Sequence, residues 1–487
     1  MKRLLILCTA IVMGFTAVAQ NDVDAFRFSQ VNWSGTARFM GAGGAFGSIG
    51  GDFSALATNP AAIGLYKKDE VTFTPIVVTA LNSKDIYNNE EVPYNRVRYS
   101  LTNFGTVFSW RLYRDDAEPT TRWRMMQFGF GYNRINDFNG QRYSTGMNNG
   151  CSMVGNFASL ANGTNFNDLS HDALAAWNTW LIDTIPGESD QYREYLSGNS
   201  LRQNYFSVSK GGIDEMNFSL GSNYNDQLYL GFTLGIPFLN YSCETEYIEE
   251  DEKDAVGGFQ NFKTIENLKT SGVGINAKLG LIYQPVDFLR LGVAIHTPTY
   301  YSTLKENYHR SIYSKFDDKS YDDEYDNISK YKLSTPFRVM GSVGFLIAKR
   351  AFITAEYEFA DYSMAKLLSS ESALYRYNFR DENQSIKEKY GACHTVRAGA
   401  EFQVTNYFIL RAGYAYSSSP FKKGINTGDC HKICAGLGFH GKVFYTDFAY
   451  VCQLAKEDYW YFNNDMLNPV NASNVNHKFA ATFGVKF

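Results

Sequence analysis

After residue 19 the chain contains no stretch of about 18 uninterrupted apolar residues, so we expect no membrane-spanning helix in the rest of the sequence. Proline is scarce, at 11 of 487 residues, and the charge is nearly balanced, with 46 Lys and Arg against 50 Asp and Glu. No basic stripe with interleaved aromatic residues occurs, which argues against a nucleic-acid partner. Aromatic residues reach 16% and glycine counts 41, a mixture that favours many strands over many helices.

Recognisable catalytic and metal-binding patterns are also missing. The Gly-x-Ser-x-Gly motif is absent and the seven histidines show no local pairing with a nucleophile, so we expect that the chain is not an enzyme. Cys430 and Cys434 with His431 form too weak a pattern for a metal site, and we expect neither a metal nor a cofactor. The six cysteines that follow Cys8 permit disulfides, although many pairings are possible.

Residues 1–19 are typical of a secretory signal peptide. Lys2 and Arg3 precede a mostly apolar run that ends in the small-residue pattern Ala17-Val18-Ala19. We predict cleavage after Ala19 and export of the chain. An uncleaved anchor helix is the alternative, and the shortness of the apolar run disfavours it.

The C-terminal segment alternates strictly between two faces. From Val475 to Phe487, a mostly apolar set of residues alternates with a set that is mostly polar or small. The edge of a soluble β-sandwich has the same period, but an exported chain that ends on a strand with a terminal Phe is typical of bacterial outer-membrane barrels. We therefore expect the protein in the bacterial outer membrane.

The same periodicity marks fourteen strand segments, each near the roughly 9 to 11 residues that cross a membrane at a tilt. They are residues 71–80, 101–112, 125–134, 214–223, 226–238, 273–284, 287–296, 337–348, 351–360, 394–404, 407–416, 431–440, 443–452 and 475–487. Very short links alternate with long polar ones, and we predict long extracellular loops at 135–213, 239–272, 297–336 and 361–393. The sequence thus predicts an all-β fold, a transmembrane antiparallel barrel of 14 strands over residues 71–487.

Residues 20–70 do not follow a strand pattern. Glycine and alanine crowd into this segment, which contains Gly43 and Gly44 and then Asn59-Pro60-Ala61. Glycine adopts dihedral angles that other residues avoid, so such a segment folds tightly with its backbone close to a wall. No Gly-Lys-Ser/Thr follows, and the glycine spacing does not fit a dinucleotide-binding loop. We predict a plug, or hatch, inside the barrel lumen.

Specific residues of this segment resemble a known family. Arg38 to Ala45, followed by Asn59-Pro60-Ala61, resembles the N-terminal hatch of FadL-type outer-membrane transporters. Segments 334–338, 411–416 and 445–450 are similar to the family's strand patterns, and 296–301 is similar to a segment of members from Bacteroidetes-like bacteria. The resemblance implies a plugged barrel that imports hydrophobic small molecules, such as long-chain fatty acids, by diffusion and releases them through a lateral opening. The chain departs from the family's Asn-Pro-Ala-Gly form by carrying Ala62 and Ile63 before Gly64.

The resemblance also implies a gate in the hatch. We expect Asn59, Pro60 and Ala61 to shape this gate, together with Gly43 and Gly44. Four barrel charges are predicted to face the lumen and to pair into a network that holds the plug: Arg338, Arg397, Glu401 and Arg411. An arginine in this position is also suited to a carboxylate headgroup.

The loop at 135–213 is the predicted place of ligand capture. A helix from Ser170 to about Asp183 would present Leu174, Trp177 and Leu181 on one face, with Trp180 on an adjoining face. These residues would either contact ligand or pack as a lid on the barrel rim.

The expected partners are a hydrophobic small-molecule ligand and outer-membrane lipid, and we expect a monomer. The alternative interpretation is a barrel for binding or for accessory steps in secretion, since some FadL-like proteins resemble shuttles for exported proteins and others are labelled haem receptors. His171 and His309, in predicted outer loops, support the haem version weakly.

Overall fold

The computed structural model describes residues 22–112, 122–348, 350–370, 377–462 and 467–487. Fourteen strands form one antiparallel sheet, with bounds β1 (Glu70–Tyr87), β2 (Glu90–Ser100 and Asn103–Arg111), β3 (Trp123–Asp137 and Gly140–Asn148), β4 (Leu201–Tyr224), β5 (Leu228–Glu250), β6 (Phe259–Val286), β7 (Leu289–His296 and Tyr300–Phe316), β8 (Ser320–Ser334 and Arg338–Ile347), β9 (Ala351–Asp361 and Lys366–Ser369), β10 (Ala392–Gln403), β11 (Phe408–Ser417), β12 (Cys430–His440), β13 (Phe444–Tyr459) and β14 (Val470–Lys486). The predicted signal peptide, residues 1–19, lies outside the described residues.

The sheet closes on itself. Each strand pairs with its neighbours in the sequence, and β14 pairs with β1, so that Val71 lies opposite Val485 and Asn82 opposite Val475. Closure gives every strand two partners, which a sheet needs in lipid because unpaired backbone groups there have no water to bond. The predicted barrel of 14 strands is confirmed.

Side chains alternate between the lumen and the outer surface, as the periodicity predicts. On β6, Ile275, Leu279 and Leu281 are 39 to 60% exposed on the outer surface, whereas Asn276 and Lys278 on the other face are buried. An apolar outside and a polar inside are the arrangement of a barrel that sits in a membrane. Among the described residues, no helix combines the length and the apolarity that crossing a bilayer requires.

Two ends of the barrel differ in the length of their connections. The turn end carries the short connections 225–227, 287–288, 404–407 and 441–443, and the loop end carries 149–200, 370–391, 418–429 and 460–469. Five strands, β2, β3, β7, β8 and β9, are interrupted; each has a turn half near the turn end and a loop half near the loop end.

The predicted loops are too long, and the structure corrects all four. Strand occupies most of 239–272 and 297–336, which leaves 251–258 and 317–319 as connections. Residues 135–213 are strand up to Asn148 and again from Leu201, and 361–393 contains the loop half of β9 and a helix. Beyond the membrane the outer strand face meets water instead of lipid, so the apolar outer face that marks a membrane strand disappears.

The plug fills the lumen toward the turn end. It consists of α1 (Asp22–Ser29), α2 (Ala37–Gly41) and the 3₁₀ helices Phe53–Ala57 and Pro60–Leu65. Phe39, Phe46 and Phe53 are at most 1% exposed, and the Ala37 amide donates to Thr482 Oγ1 of β14 (2.7 Å). The predicted hatch inside the barrel is confirmed.

A second helical layer covers the loop end. It contains α3 (Met153–Ala161), the 3₁₀ helix Phe166–Asp168, α4 (His171–Asn178) and the paired segments Asp183–Thr184 and Tyr192–Arg193. Phe157 and Ala173 pack with Tyr247 and Phe262 of the barrel in one buried cluster. On the other side of the rim, the 3₁₀ helix Tyr362–Met364 and α5 (Arg380–Lys389) follow the two halves of β9. All six cysteines from Cys151 to Cys452 are free thiols.

Candidate functional site

Asn59 holds the plug against the barrel wall. Its Oδ1 accepts a hydrogen bond from the Ala61 amide (3.0 Å), which starts the 3₁₀ helix at Pro60. Its Nδ2 donates to the carbonyl oxygens of Gly47 in the plug (2.6 Å) and Leu281 in β6 (3.3 Å). The Asn-Pro-Ala motif is therefore an anchor that joins two plug segments to the wall.

Gly43 lies at a different part of the wall, against β10 and β11, and Gly44 lies against Trp33 of the plug. Both have positive φ angles, +70° and +74°, which glycine adopts without steric cost. A Cβ on Gly43 would lie 2.8 Å from the carbonyl oxygen of Ala398. The structure thus does not bring the five predicted gate residues together; the Asn-Pro-Ala motif and Gly43 contact the barrel at two separate places.

Two barrel glycines make room for the Asn-Pro-Ala turn. Gly231 of β5 and Gly280 of β6 are opposite each other in the register. A Cβ on Gly231 would overlap the backbone of Pro60 and Ala61, and one on Gly280 would overlap the Asn59 side chain. No local pattern singles out these two glycines, because the contact joins segments far apart in the chain.

We expect Gly231→Ala to loosen the plug. The added methyl group meets backbone, which has less room to move than the end of a side chain, so overpacking should destabilise the docked plug by about 1–3 kcal/mol. Thermal unfolding of the purified barrel and ion current through single channels in planar bilayers measure the effect. Gly341→Ala is the matched control, since a Cβ there meets no described atom within 4 Å. Equal behaviour of the two variants would contradict tight docking.

The predicted lumen charges form ion pairs inside the barrel. Arg411 of β11 pairs with Glu401 (2.6 Å) and Asp447 (2.6 Å). Arg397 of β10 pairs with Glu356 and Glu358 of β9, which are nearly fully buried. Removal of one partner would leave an uncompensated buried charge, so these pairs fix the side chains in place.

Three of these barrel side chains also bond the plug. The contacts are Glu401 with Arg38 (2.9 and 3.1 Å), Glu356 with the Gly47 amide (2.7 Å) and Arg338 with the Ser29 carbonyl oxygen (2.8 Å). Arg338 is itself paired with Glu358 at 2.6 Å. The network therefore links the wall of β8 to β11 with three points along the plug.

The hydrogen-bond ladder of the wall has a gap between the loop halves of β2 and β3, although the two segments lie close together. The loop half of β2 pairs with β1 and that of β3 pairs with β4, and within the described residues the two loop halves share no ladder pair. Their turn halves are joined in register from Asn103 to Arg111. We call the gap, bounded by 90–100 and 134–148, the side window. Arg98 and Asp137 face each other across it at 3.5 Å.

The plug lies against the lower edge of the side window. Phe28 of α1 packs on Phe138, at the interruption of β3, and on Tyr241 of β5, with ring centroids 5.8 and 5.7 Å apart. The Asn32 amide donates to the Ile135 carbonyl oxygen of β3 (2.8 Å). A movement of α1 would therefore change the access from the lumen to the window.

Four cationic side chains line the lumen beside the side window. We call Arg96, Arg98, Lys432 and Lys478 the cation cluster. Arg98 and Lys478 flank Thr79 in the register, and Arg96 lies two residues along on the same face of β2 as Arg98.

The cation cluster carries more positive charge than its neighbours neutralise. Lys432 is 7% exposed, and its Nζ lies 4.4 Å from the ring centre of Trp33 in the plug. Asp137 pairs with Arg98, whereas Arg96, Lys432 and Lys478 form no ion pair with any described residue. A cation in contact with an aromatic ring gains part of the stabilisation that a carboxylate would give. The cluster is thus suited to an anionic group.

The predicted capture helix is shorter than expected. α4 ends at Asn178, because Trp180 takes a φ of +57°, which a right-handed helix does not allow. Leu181 lies beyond the helix and is buried in the cluster with Phe157.

The remaining capture residues do not share one surface. Leu174 is half-buried, Trp177 packs on Phe166 with ring centroids 4.6 Å apart, and Trp180 is 61% exposed. The single apolar face predicted for Leu174, Trp177 and Leu181 is therefore wrong, and this segment packs as part of the layer that covers the loop end.

The two loop histidines lie on opposite faces of the hairpin formed by β7 and β8. His171 stacks on Tyr325 (5.0 Å between centroids), while His309 bonds Asp326 (3.0 Å), the next residue along β8. Adjacent residues of a strand point to opposite faces, so the two imidazoles do not converge on one ligand.

A family model described as outer membrane protein transport protein (OMPP1/FadL/TodX) matches residues 198–483. The matched region is more than half of the chain and extends from the start of β4 into β14. The chain belongs to the OMPP1/FadL/TodX family. This membership, together with the 14-strand barrel, places it in the bacterial outer membrane as a FadL/TodX-type transporter of hydrophobic compounds.

Solved structures of FadL-type barrels share this fold. A Pseudomonas aeruginosa FadL homologue is 13% identical, with a TM-score of 0.57 and coverage of 94% of this chain and 99% of that one. The Pseudomonas putida toluene transporter TodX is also 13% identical, with a TM-score of 0.53 and coverage of 94% and 99%. The Ralstonia pickettii toluene transporter TbuX gives 14% identity, a TM-score of 0.50 and coverage of 93% and 98%. No curated protein matches the chain.

The sequence did not reveal the cation cluster of this FadL/TodX family member. Lys432 falls in the predicted strand 431–440, and its position on the inward face of that strand was the sequence signal that could have identified it. Arg96 and Arg98 fall in a stretch that the periodicity assigned to a loop, so their direction was not predicted. The contact of Lys432 with Trp33 joins residues that are distant in the chain.

Proposed function

We propose that the protein is a passive channel for long-chain fatty acids or similar lipophilic solutes with an anionic head. In this proposal the loop end faces the outside, the barrel acts as a monomer in contact with outer-membrane lipid, and no reaction is catalysed. The solute's head binds the cation cluster, and its chain leaves through the side window into the membrane.

The cation cluster carries this proposal. Burial of an ammonium group without a counter-charge is costly, and Lys432 is buried with an aromatic ring instead of a carboxylate beside it. A carboxylate that enters the lumen would supply the missing charge to Lys432, Lys478 and Arg96. Hydrogen bonds to charged groups contribute about 1.5–3 kcal/mol each, which is enough to decide between an acid and a neutral solute of the same length.

The side window supports a lateral exit. Val97 and Tyr99 of β2 and Leu101 at its interruption are 57, 73 and 43% exposed on the outer surface beside it. An alkyl chain that passes through the window therefore moves along apolar side chains, and the adjoining outer face continues to Phe104 in the turn half. Release into lipid avoids exposure of the chain to water.

Neutral solutes are the competing possibility. TodX and TbuX are described as toluene transporters, and toluene carries no charge. A channel that prefers neutral solutes would gain no binding free energy from the cation cluster.

Substitution of the two lysines tests the proposal. Lys432→Gln with Lys478→Gln should weaken oleate binding by about tenfold or more, because each lost charge-assisted hydrogen bond contributes over 1 kcal/mol. Binding of oleyl alcohol, which has the same chain and no charge, should stay within about twofold. Calorimetric titration of the purified protein and uptake of radiolabelled oleate into proteoliposomes measure the two effects.

The control is a variant with the same change of charge at exposed positions, Lys423→Gln with Lys442→Gln. This variant should bind both solutes as the parent does. An equal loss for oleate and oleyl alcohol in the lumen variant, or no loss for either, would contradict an anionic substrate.

A further inference from the structure

We propose that a cavity beside α5 binds the phosphate of an outer-membrane lipid headgroup. The cavity has a volume of about 420 Å³ and lies at the loop end, between α5 and the loop half of β9. It is separate from the lumen and from the cation cluster. Its lining contains Lys366 of β9 with Arg380 and Lys387 of α5.

The helix and the strand hold these cations in a fixed arrangement. Asn383 of α5 bonds both the amide and the carbonyl oxygen of Leu367 in β9, at 2.8 and 2.9 Å. Phe379, directly before the helix, and Ile386 lie on the same side of the helix as Asn383 and are buried in the barrel mouth. The neighbouring exposed face carries Arg380 and Lys387 along one stripe of the helix. The cavity therefore lies beside a helix that its packed face fixes to the barrel.

The charge of the cavity favours a dianionic group. Lys366, Arg380 and Lys387 form no ion pair with any described residue. Of the three carboxylates on α5, two have other partners, since Glu382 accepts from Tyr377 (2.5 Å) and Glu388 accepts from Gln384 (2.7 Å). Three cations around one cavity match a phosphate, which presents several acceptor oxygens at once.

The height of the cavity favours a lipid as the source of that phosphate. Below it, the turn half of β9 and the whole of β10 have 11 and 12 residues, about the length that crosses the hydrocarbon core. The cavity lies directly beyond these strands, at the level of the headgroups. On the other side of the barrel, β5 and β6 have 23 and 28 residues, so their hairpin extends well past this level.

Lipid A and its dephosphorylated form are the probes for the full-length protein in detergent. Native mass spectrometry and microscale thermophoresis measure binding, with inorganic phosphate as a third probe. We expect lipid A to bind at least about tenfold more tightly than the dephosphorylated lipid. The variant Lys366→Gln, Arg380→Gln, Lys387→Gln should abolish this preference. The control Lys253→Gln, Lys315→Gln, Lys319→Gln, at the tips of the longer hairpins, should retain it.

Three results would overturn the proposal. Equal affinity for the two lipids would exclude phosphate recognition, and an unchanged preference in the α5 variant would place it elsewhere. Inorganic phosphate that binds as tightly as lipid A would assign the cavity to a free anion.

The position at the outer leaflet rests on the proposed orientation, so orientation is measured separately. Lys319→Cys should react with a membrane-impermeant maleimide on intact cells if the loop end faces outside. Uptake of oleate should be unchanged in the α5 variant, because the cavity takes no part in the channel. Loss of phosphate preference and loss of oleate binding thus arise in different variants.

Discussion

Deletion of residues 22–66 leaves a folded barrel whose conductance to polar solutes rises by about tenfold or more, since a wide barrel without its plug contains a water-filled channel. The plug accounts for the buried packing in the turn half of the lumen, where Phe39, Phe46 and Phe53 lie. Planar-bilayer recordings and sensitivity of cells to large hydrophilic antibiotics measure the change.

The barrel should survive this deletion because its own pairs remain. Arg397 keeps Glu356 and Glu358, and Arg411 keeps Glu401 and Asp447, so the loss of Arg38 leaves no unpaired charge among them. The closed ladder from β1 to β14 also does not include the plug. Heat-modifiable mobility on gels checks the folded state. Unchanged conductance in a folded barrel would show that the plug is not the seal.

Closure of the side window should abolish uptake but not binding. The experiment places cysteines at Arg98 and Asp137, which face each other across the window, in a background whose six cysteines are replaced by alanine. A short bis-methanethiosulfonate reagent then joins the two loop halves. We expect uptake of labelled oleate into proteoliposomes to fall by about tenfold or more when the bridge forms, because the proposed exit of the alkyl chain passes between these two loop halves.

Uptake by the bridged protein is compared with uptake by the same double-cysteine variant before cross-linking. Reduction of the bridge should restore uptake to that level. Each single-cysteine variant, treated with the same reagent, controls for modification alone. Binding of oleate to the purified protein should change little on bridging, since Lys432 and Lys478 remain in place. Uptake that is insensitive to the bridge would contradict lateral release and would favour passage along the barrel axis.

Periodicity located every membrane-crossing part of the sheet. Each of the fourteen predicted segments overlaps a strand and extends past it by at most two residues at either end, because lipid outside and polar contacts inside impose opposite requirements on alternate residues. Periodicity did not locate the parts of the strands that extend beyond the membrane. In β6 the predicted segment begins at residue 273, yet the strand begins at Phe259, where Lys263 and Lys269 belong to a hairpin that meets water.

The functional site was also predicted in part: the sequence indicated the lumen charges but not the contacts of the gate residues. Arg338, Arg397 and Arg411 were predicted as inward charges because each lies on the face opposite the apolar residues of its strand, and the structure pairs each of them in the lumen. The gate residues were selected from a resemblance, which names a motif but not its contacts. Asn59 proved to be an anchor to Leu281, and Gly43 packs against β10 on another side.

The amino-acid sequence by itself determined a fourteen-strand barrel with an apolar outside and a glycine-rich segment before it, since both follow from local periodicity and composition. Tertiary structure decided the interruption of β3 that opens the side window, the meeting of Lys432 with Trp33, and the cavity beside α5. Each of these depends on which strands and loops become neighbours when the sheet closes. Closure is set by the pairing of residues hundreds of positions apart, as Val71 with Val485, and no local pattern carries that information.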